Sequence, residues 1–215
     1  MSEKFNKKIS IIDYGVGNIS NLLAAIEYCG VTGQVVNTHQ EIESSDYIIL
    51  PGVGAFKYAI DQLNNKNMSD AINNHVLKEK PFLGICLGMQ LMLDKSFEFG
   101  EVDGLGIIEG EVISIKSKQT ADKSFKIPHI GWNKLIENRN LQNIYSNSFD
   151  NKYMYFVHSY FANCKNKNNV LASVDYNDIK IPAIIQHNNS YGCQFHPEKS
   201  GPEGLKIFKR FINEK

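Results

Sequence analysis

The segment Gly84-Ile85-Cys86-Leu87-Gly88 sets a cysteine between two glycines, where an apolar run gives way to a helix-like stretch. This G-x-nucleophile-x-G shape suits a nucleophile elbow, a sharp strand-to-helix turn that exposes its central side chain. The helix N-terminus beyond it favours a negative charge such as a thiolate. A buried structural cysteine is the plain alternative, so partners elsewhere must decide. His196-Pro197-Glu198 follows another apolar run, Tyr191–Phe195. A cysteine nucleophile needs a base to take its proton and return it to a leaving group, and neutral imidazole suits that task near pH 7. Glu198, two residues on across a rigid proline, is placed to hold the ring in one tautomer. Taken alone, a surface histidine and a solvated glutamate are the better explanation of the pair; a strand-end cysteine within the same sheet turns the balance towards chemistry. A third element, Leu50-Pro51-Gly52-Val53-Gly54-Ala55, is a glycine-rich turn after an apolar run. Acyl transfer creates an oxyanion that needs preorganised N–H donors. The Leu87 amide and the amide of Val53 or Gly54 are natural candidates. The alternatives are a tight turn using glycine's freedom and, less well matched, a phosphate loop, whose G-K-[ST] ending is missing here.

These segments must be carried by an alternating α/β scaffold. Lys8–Tyr14, Asp46–Leu50 and Pro81–Ile85 read as buried strands, with helices predicted over Ser20–Cys29, Ala55–Leu63, Ser69–Lys78 (Ser69 as its cap) and Gly88–Leu93. Strands separated by helices with short connections imply parallel βαβ units, and active sites gather at the carboxyl ends of such strands. After Gly100 the pattern changes. Gly110–Ile115, Ile127–Leu135, Tyr153–Phe161, Leu171–Tyr176, Ala183–His187 and Tyr191–Phe195 are strand candidates with few helices between them, which suits an antiparallel extension. Pro202–Ile212 closes the chain as an amphipathic helix with Leu205, Phe208 and Ile212 on one face. Lys116–Lys126 and Asn163–Asn169 read as polar loops. With no repeat and no linker, residues 1–215 are expected to form one domain.

Composition excludes several classes. The chain has 215 residues, 42% hydrophobic and 21% charged, long enough for a sizeable core without disulfides or metals. Lys plus Arg and Asp plus Glu both number 23, so no net charge draws nucleic acid or an anionic membrane. Arg139 and Arg210 are the only arginines, too few for bidentate phosphate or base reading. No apolar stretch approaches the roughly 18 residues of a membrane span, and the polar start, Met1–Lys8, has no signal-peptide core. Cys29, Cys86, Cys164 and Cys193 lie far apart, without metal-ligand spacing. A reducing, cytoplasmic compartment is expected, with no metal and no cofactor.

PGVG, GICLGMQ and QFHPEKSG, in this order, resemble the class I (triad) glutamine amidotransferases. Met89, DYGVGN at Asp13–Asn18, PHIGWN at Pro128–Asn133 and YFVHSY at Tyr155–Tyr160 narrow the likeness to the glutaminase subunits of imidazole glycerol phosphate synthase. The resemblance covers essentially the whole chain. Many siblings have His at the Met89 position, which argues against the anthranilate- and GMP-synthesis branches.

The resemblance implies a flavodoxin-like α/β fold: an open, mostly parallel sheet flanked by helices, with an antiparallel extension. It implies hydrolysis of glutamine to glutamate and ammonia, with Cys86 as nucleophile, His196 as proton relay and Glu198 orienting it. Gly52, Gln90, Glu98, Ser159 and Tyr160 match substrate-holding positions, though Gln90 on a helix face and Glu98 in a loop have ordinary explanations too. A (β/α)₈-barrel cyclase is the implied partner in a heterodimer, taking ammonia through its interior to form imidazole glycerol phosphate and AICAR. Asn18, His129, Trp132 and Lys199 match positions at or near that contact; for Trp132, the single tryptophan, a core position is an equal alternative. Three rivals stand beside this expectation: a paralogue supplying ammonia to amidate an N-acetyl sugar, a γ-glutamyl peptidase without a barrel partner, and an inactive scaffold.

Overall fold

The computed structural model describes residues 8–120, 124–138 and 149–213. The polar start before Lys8, Arg139 and part of the Lys116–Lys126 stretch lie outside them. The chain begins with β1 (Ile9–Ile12), α1 (Ile19–Tyr28), β2 (Gly33–Val36), α2 (His39–Ser44) and β3 (Tyr47–Leu50). Strand β2 and helix α2 carry weak apolar signals and escape the sequence prediction: β2 is half exposed, and α2 buries only Ile42. Local chemistry holds α2 instead, through a capping box between Thr38 and Glu41.

Helices α3 (Phe56–Asn65) and α4 (Met68–Leu77) lead to β4 (Phe82–Ile85) and the single turn α5 (Leu87–Gln90). Ser69 does not cap α4. Asn67 holds that position at φ 52°, and the Ser69 hydroxyl donates to Asn64 Oδ1 at 2.6 Å. The helix expected over Gly88–Leu93 stops at Gln90, because the chain turns into β5 (Leu93–Ser96). Then come β6 (Val102–Asp103), β7 (Ile108–Ser114), β8 (His129–Glu137), β9 (Tyr153–His158), β10 (Tyr160–Cys164), β11 (Val170–Tyr176), β12 (Ile179–His187), β13 (Ser190–Cys193) and α6 (Gly201–Ile212). The run Tyr153–Phe161 is two strands rather than one. It breaks at Ser159, whose carbonyl accepts from the Ile115 amide at 2.9 Å. The predicted loops Lys116–Lys126 and Asn163–Asn169 contain short 3-10 turns, and β10 reaches Cys164.

Among the described residues, nine strands form the main sheet, ordered β2-β1-β3-β4-β13-β12-β11-β8-β9. The first five are parallel in the 2-1-3-4-5 order of flavodoxin-like folds; from β13 onward every pairing is antiparallel. The antiparallel extension, four strands, is therefore nearly as large as the five-stranded parallel core. Strands β10, β7, β5 and β6 make a second, four-stranded sheet. Burial follows this division. Strands β1, β3, β4 and β13 are buried at every position, as parallel strands covered on both faces must be. Strands β8 and β9 keep Ile130, Trp132 and Tyr153 exposed on the outer face. Helix α6 packs Ile207, Phe208, Phe211 and Ile212 into the core; Leu205, expected there, is only half-buried. Phe211 meets Tyr47 edge-on at 5.5 Å. No helix among the described residues is long and apolar enough to cross a membrane. The carboxyl ends of β1, β3, β4 and β13 open onto one rim, where Tyr14, Pro51, Cys86 and Gln194 follow.

Candidate active site

Cys86 sits between β4 and α5 at φ 54° and ψ −107°, a strained conformation for a side chain other than glycine. The bend is tight enough to forbid side chains on either flank. A Cβ at Gly84 would lie 2.6 Å from the Gly88 carbonyl oxygen, and one at Gly88 would overlap the Leu50 carbonyl. The Cys86 amide donates to the Cys193 carbonyl on β13 at 2.7 Å, and its carbonyl accepts from the Gln90 amide at 3.1 Å. The turn is thus pinned on both sides, with the thiol largely buried at the floor of a cleft. Cys29, Cys164 and Cys193 are also free, and burial pushes each of their thiols up.

The cleft measures about 290 Å³ and is lined by Val53, Gly54, Cys86, Leu87, Gln90, Glu98, Val157, His158, Ser159 and Tyr160. Eight of the site residues expected from sequence therefore share one cavity. Gly52 lies just behind: a Cβ there would come within 2.7 Å of the Tyr14 hydroxyl and 2.9 Å of the Leu87 side chain. The Leu87 amide, expected as a free oxyanion donor, instead points to the Gly52 carbonyl at a long 3.4 Å. Glu98, nearly buried, accepts from the Phe56 amide at 2.7 Å and so satisfies an orphan N–H at the start of α3.

His196 and Glu198 stand beside Cys86. His196 follows β13 and enters a 3-10 turn over Pro197–Lys199. Its amide donates to the Tyr155 carbonyl at 3.0 Å, and its carbonyl accepts from the Ser200 hydroxyl at 2.7 Å. Its Nδ1 lies 2.9 Å from Glu198 Oε1, both side chains almost wholly buried. Nε2 is buried with no hydrogen-bond partner among the described residues. Burial pushes the imidazole down, but the Cys86 sulfur and the Glu198 carboxylate outweigh it and lift the ring to about 9.

The four expected contact residues separate. Asn18 is exposed and caps α1, accepting from the Asn21 amide at 3.3 Å. Lys199 and Trp132 are exposed, Trp132 by 52%, so the tryptophan is not a core residue. His129 is buried at 1% exposure, which takes it off the surface. Its ring stacks on Phe156 and Tyr176 and bonds His158 Nε2 at 2.9 Å.

Three site residues were missed from sequence. The Tyr14 hydroxyl donates to the Pro51 carbonyl at 2.8 Å under the glycine-rich turn. Burial first, and then the Cys86 sulfur, push that hydroxyl far up, so it stays a donor. His158 lines the cleft, and burial, reinforced by His129, drives it down to about 3. Gln194, wholly buried, points its Nε2 at the Cys86 sulfur from 3.7 Å. Tyr14 lies in DYGVGN, His158 in YFVHSY and Gln194 in QFHPEKSG, motifs that flag the neighbourhood but not the contact.

The family described as "Glutamine amidotransferase class-I" matches residues 10–215. The chain belongs to the class I glutamine amidotransferases. Among curated relatives, it is 45% identical to imidazole glycerol phosphate synthase subunit HisH 1 of Legionella pneumophila (strain Lens), covering 95% of this chain and 98% of that protein. It is 44% identical to the subunit HisH of Lactococcus lactis, with 97% and 99% covered. Among solved structures, one described as a crystal structure of glutamine amidotransferase superposes with a TM-score of 0.73 at 15% identity, covering 96% of this chain and 99% of the other. The structure of PurLQS from Thermotoga maritima gives 0.71 at 20% identity, with 96% and 98% covered. At these identities the structures speak for the fold alone.

Proposed function

We propose that this amidotransferase hydrolyses glutamine through Cys86, His196 and Glu198 and passes the ammonia to a barrel cyclase. The observation that carries this is the strained Cys86 turn at the floor of the cleft, flanked by the 2.9 Å His196–Glu198 pair. The Cys86 thiolate attacks the side-chain amide carbon of glutamine. As the tetrahedral intermediate collapses, the His196 proton leaves with the nitrogen as ammonia, and a γ-glutamyl thioester remains. His196 then takes a proton from water, hydroxide adds to the thioester, and glutamate departs while the sulfur returns to its starting state. Glu198 holds Nδ1 and so keeps Nε2 directed at both proton transfers. Gln90, Glu98, Ser159, Tyr160 and the Gly52 backbone hold the amino-acid end of the substrate.

Oxyanion stabilisation needs two N–H groups, from Leu87 and from Val53 or Gly54. With the Gly52 carbonyl turned to Leu87 N, the Gly52–Val53 peptide must reorient before both donors face the oxyanion. Such a two-position peptide gives the partner something to switch.

The partner docks on the outer face of β8 and β9. Trp132 lies opposite Tyr155 and Ile130 opposite Val157, and Val157 also lines the cleft. Exposed Trp132, Ile130 and Tyr153 therefore form an apolar surface continuous with the cleft wall, with Asn18 and Lys199 as polar contacts. Ammonium is no nucleophile, so a covered, water-poor passage keeps ammonia useful. The names of the relatives favour synthesis of imidazole glycerol phosphate over sugar amidation; in this reading AICAR is the second product of the pair and the pathway is histidine biosynthesis. The test is a glutaminase assay with Cys86→Ala, run with the barrel subunit and its nucleotide ligand. Glutamine-dependent turnover should vanish while synthesis from added ammonium salts persists; retained glutamine-dependent turnover would overturn the mechanism.

A further inference from the structure

A hydrogen-bond chain with only one consistent direction ends on the Cys86 sulfur. Gln90 Nε2 donates to the Tyr160 carbonyl at 2.9 Å and to Gln194 Oε1 at 3.0 Å. Gln194 Nε2 lies 3.7 Å from Cys86 Sγ, within the longer range expected for sulfur. A backbone carbonyl can only accept, so the Gln90 atom facing Tyr160 must be its amide nitrogen. That same nitrogen faces Gln194, whose oxygen must then receive it. The other end of Gln194, aimed at the sulfur, is therefore an N–H donor and not a carbonyl. A flipped Gln194 would set nitrogen against nitrogen at one end and oxygen against sulfur at the other. Gln194 has no exposure to water and Gln90 only 5%, so solvent cannot compensate for a reversal. The backbone fixes both ends as well: the Gln194 amide donates to the Ala183 carbonyl at 2.9 Å, and the Gln90 amide to the Cys86 carbonyl at 3.1 Å.

We infer that Gln194 is a positioning residue for the nucleophile, presenting one fixed N–H that favours the anionic sulfur over the thiol. A donor locked in place stabilises an acceptor anion more than a neutral thiol, and it steers the lone pair that attacks. The inference deepens the proposed glutaminase reading and rests on Cys86 being its nucleophile. It also gives Gln90 a second duty: both hydrogens of its Nε2 are spent inside the protein, so only its oxygen is left for substrate. Other groups act on the same sulfur. His196 follows β13 with Glu198 behind it on Nδ1, Tyr14 follows β1, and Cys193 lies on β13. His158 lines the cleft on the far side. All of them stay in place in the variants below, so the comparison isolates Gln194.

The experiment is iodoacetamide alkylation of Cys86 in the full chain across pH, read by peptide mass spectrometry to separate it from the other three cysteines. Gln194→Met keeps the length and removes both the donor and the acceptor for Gln90. Gln90→Leu breaks the same link from the other side, leaves the Gln194 amide in place and adds no charge beside the sulfur. The pH of half-maximal alkylation should rise by about one unit in Gln194→Met, a roughly tenfold slower reaction below it, and by clearly less in Gln90→Leu. An unchanged midpoint in Gln194→Met overturns the inference; if that variant fails to fold, Gln194→Leu, likewise neutral and without a donor, decides. A contribution that was only structural, through Gln90, would move the midpoint as far in Gln90→Leu as in Gln194→Met, and that outcome also overturns the inference. Because alkylation needs neither glutamine nor partner, a wild-type chain that never hydrolysed glutamine would defeat the proposed function without touching this result.

Discussion

At the scale of single residues, the site is a set of groups that tolerate almost no substitution, each for a steric or electrostatic reason. Gly88 has the Leu50 carbonyl where a side chain would start. Gly88→Ala should therefore cost about 3 kcal/mol or more, with the β4–α5 turn forced open; urea unfolding of the variant measures it. Cys86, His196 and Glu198 were legible from sequence, because each lies in a short motif whose spacing carries its own geometry. Glu198 reaches back to His196 across one proline. Gln194 and Tyr14 were not legible. An amide two residues before the histidine means nothing until β4 and β13 pair and bring residue 194 beside residue 86.

At the scale of elements, β8 and β9 do two jobs with their two faces. The outer face is apolar and exposed; the inner face buries His129 and His158, bonded to each other at 2.9 Å. His158 Nδ1 meets the Tyr160 carbonyl at 2.9 Å, and Asn133 Nδ2 meets His129 Nε2 at 3.0 Å. Tyr160's carbonyl makes His158 Nδ1 a donor, which makes Nε2 an acceptor for His129, so both rings are held neutral. Burial sets His129 at about 4 and, with His129's help, His158 at about 3; burial likewise holds His75 of α4 at about 4. Unfolding returns all three to the ordinary value near 6.5, where they bind protons the folded chain refuses. Their stabilising contribution is thus present above about pH 6.5 and is lost as pH falls toward 4. The Tm should drop by roughly 5 °C or more between pH 7 and pH 5. His75→Gln, which keeps a donor for the Pro81 carbonyl that His75 Nε2 meets at 3.0 Å, should show a shallower drop in the same melts.

At the scale of the whole molecule, the parallel half of the sheet builds the floor under Cys86 and the antiparallel half presents the exposed apolar face of β8 and β9. Val157 belongs to both, lining the cleft and pairing with Ile130 of the exposed face. If that face is the docking surface, Trp132→Ala should weaken binding of the barrel subunit by tenfold or more, the loss expected when a central aromatic anchor is removed. Titration calorimetry would read it, with circular dichroism unchanged because Trp132 is half exposed and makes only an edge contact with Tyr155 at 6.0 Å. The Gly52 carbonyl turned toward Leu87 N predicts weak glutamine hydrolysis by the isolated chain and a marked rise with the partner and its nucleotide ligand. Fast hydrolysis by the chain alone, in a stopped assay for glutamate, would remove the need for a switch at Gly52–Val53.

The sequence alone determined β1, β3 and β4 of the parallel core, because buried strands must be continuously apolar, and the triad candidates, because their motifs are local. It missed half-exposed β2 and set Tyr191–Phe195 with the antiparallel strands, whereas β13 pairs parallel with β4. It could not decide the fate of Tyr153–Phe161, where one apolar run serves two sheets and breaks at Ser159. Nor could it say that Trp132 faces out while His129, three residues before it, faces in. Alternation along a strand states that neighbours point to opposite faces, but only the packing of β9, β11 and α6 decides which face meets water. The contacts around the sulfur likewise belong to tertiary structure: a hydrogen bond from residue 194 to residue 86 exists only after the intervening strands have found their order.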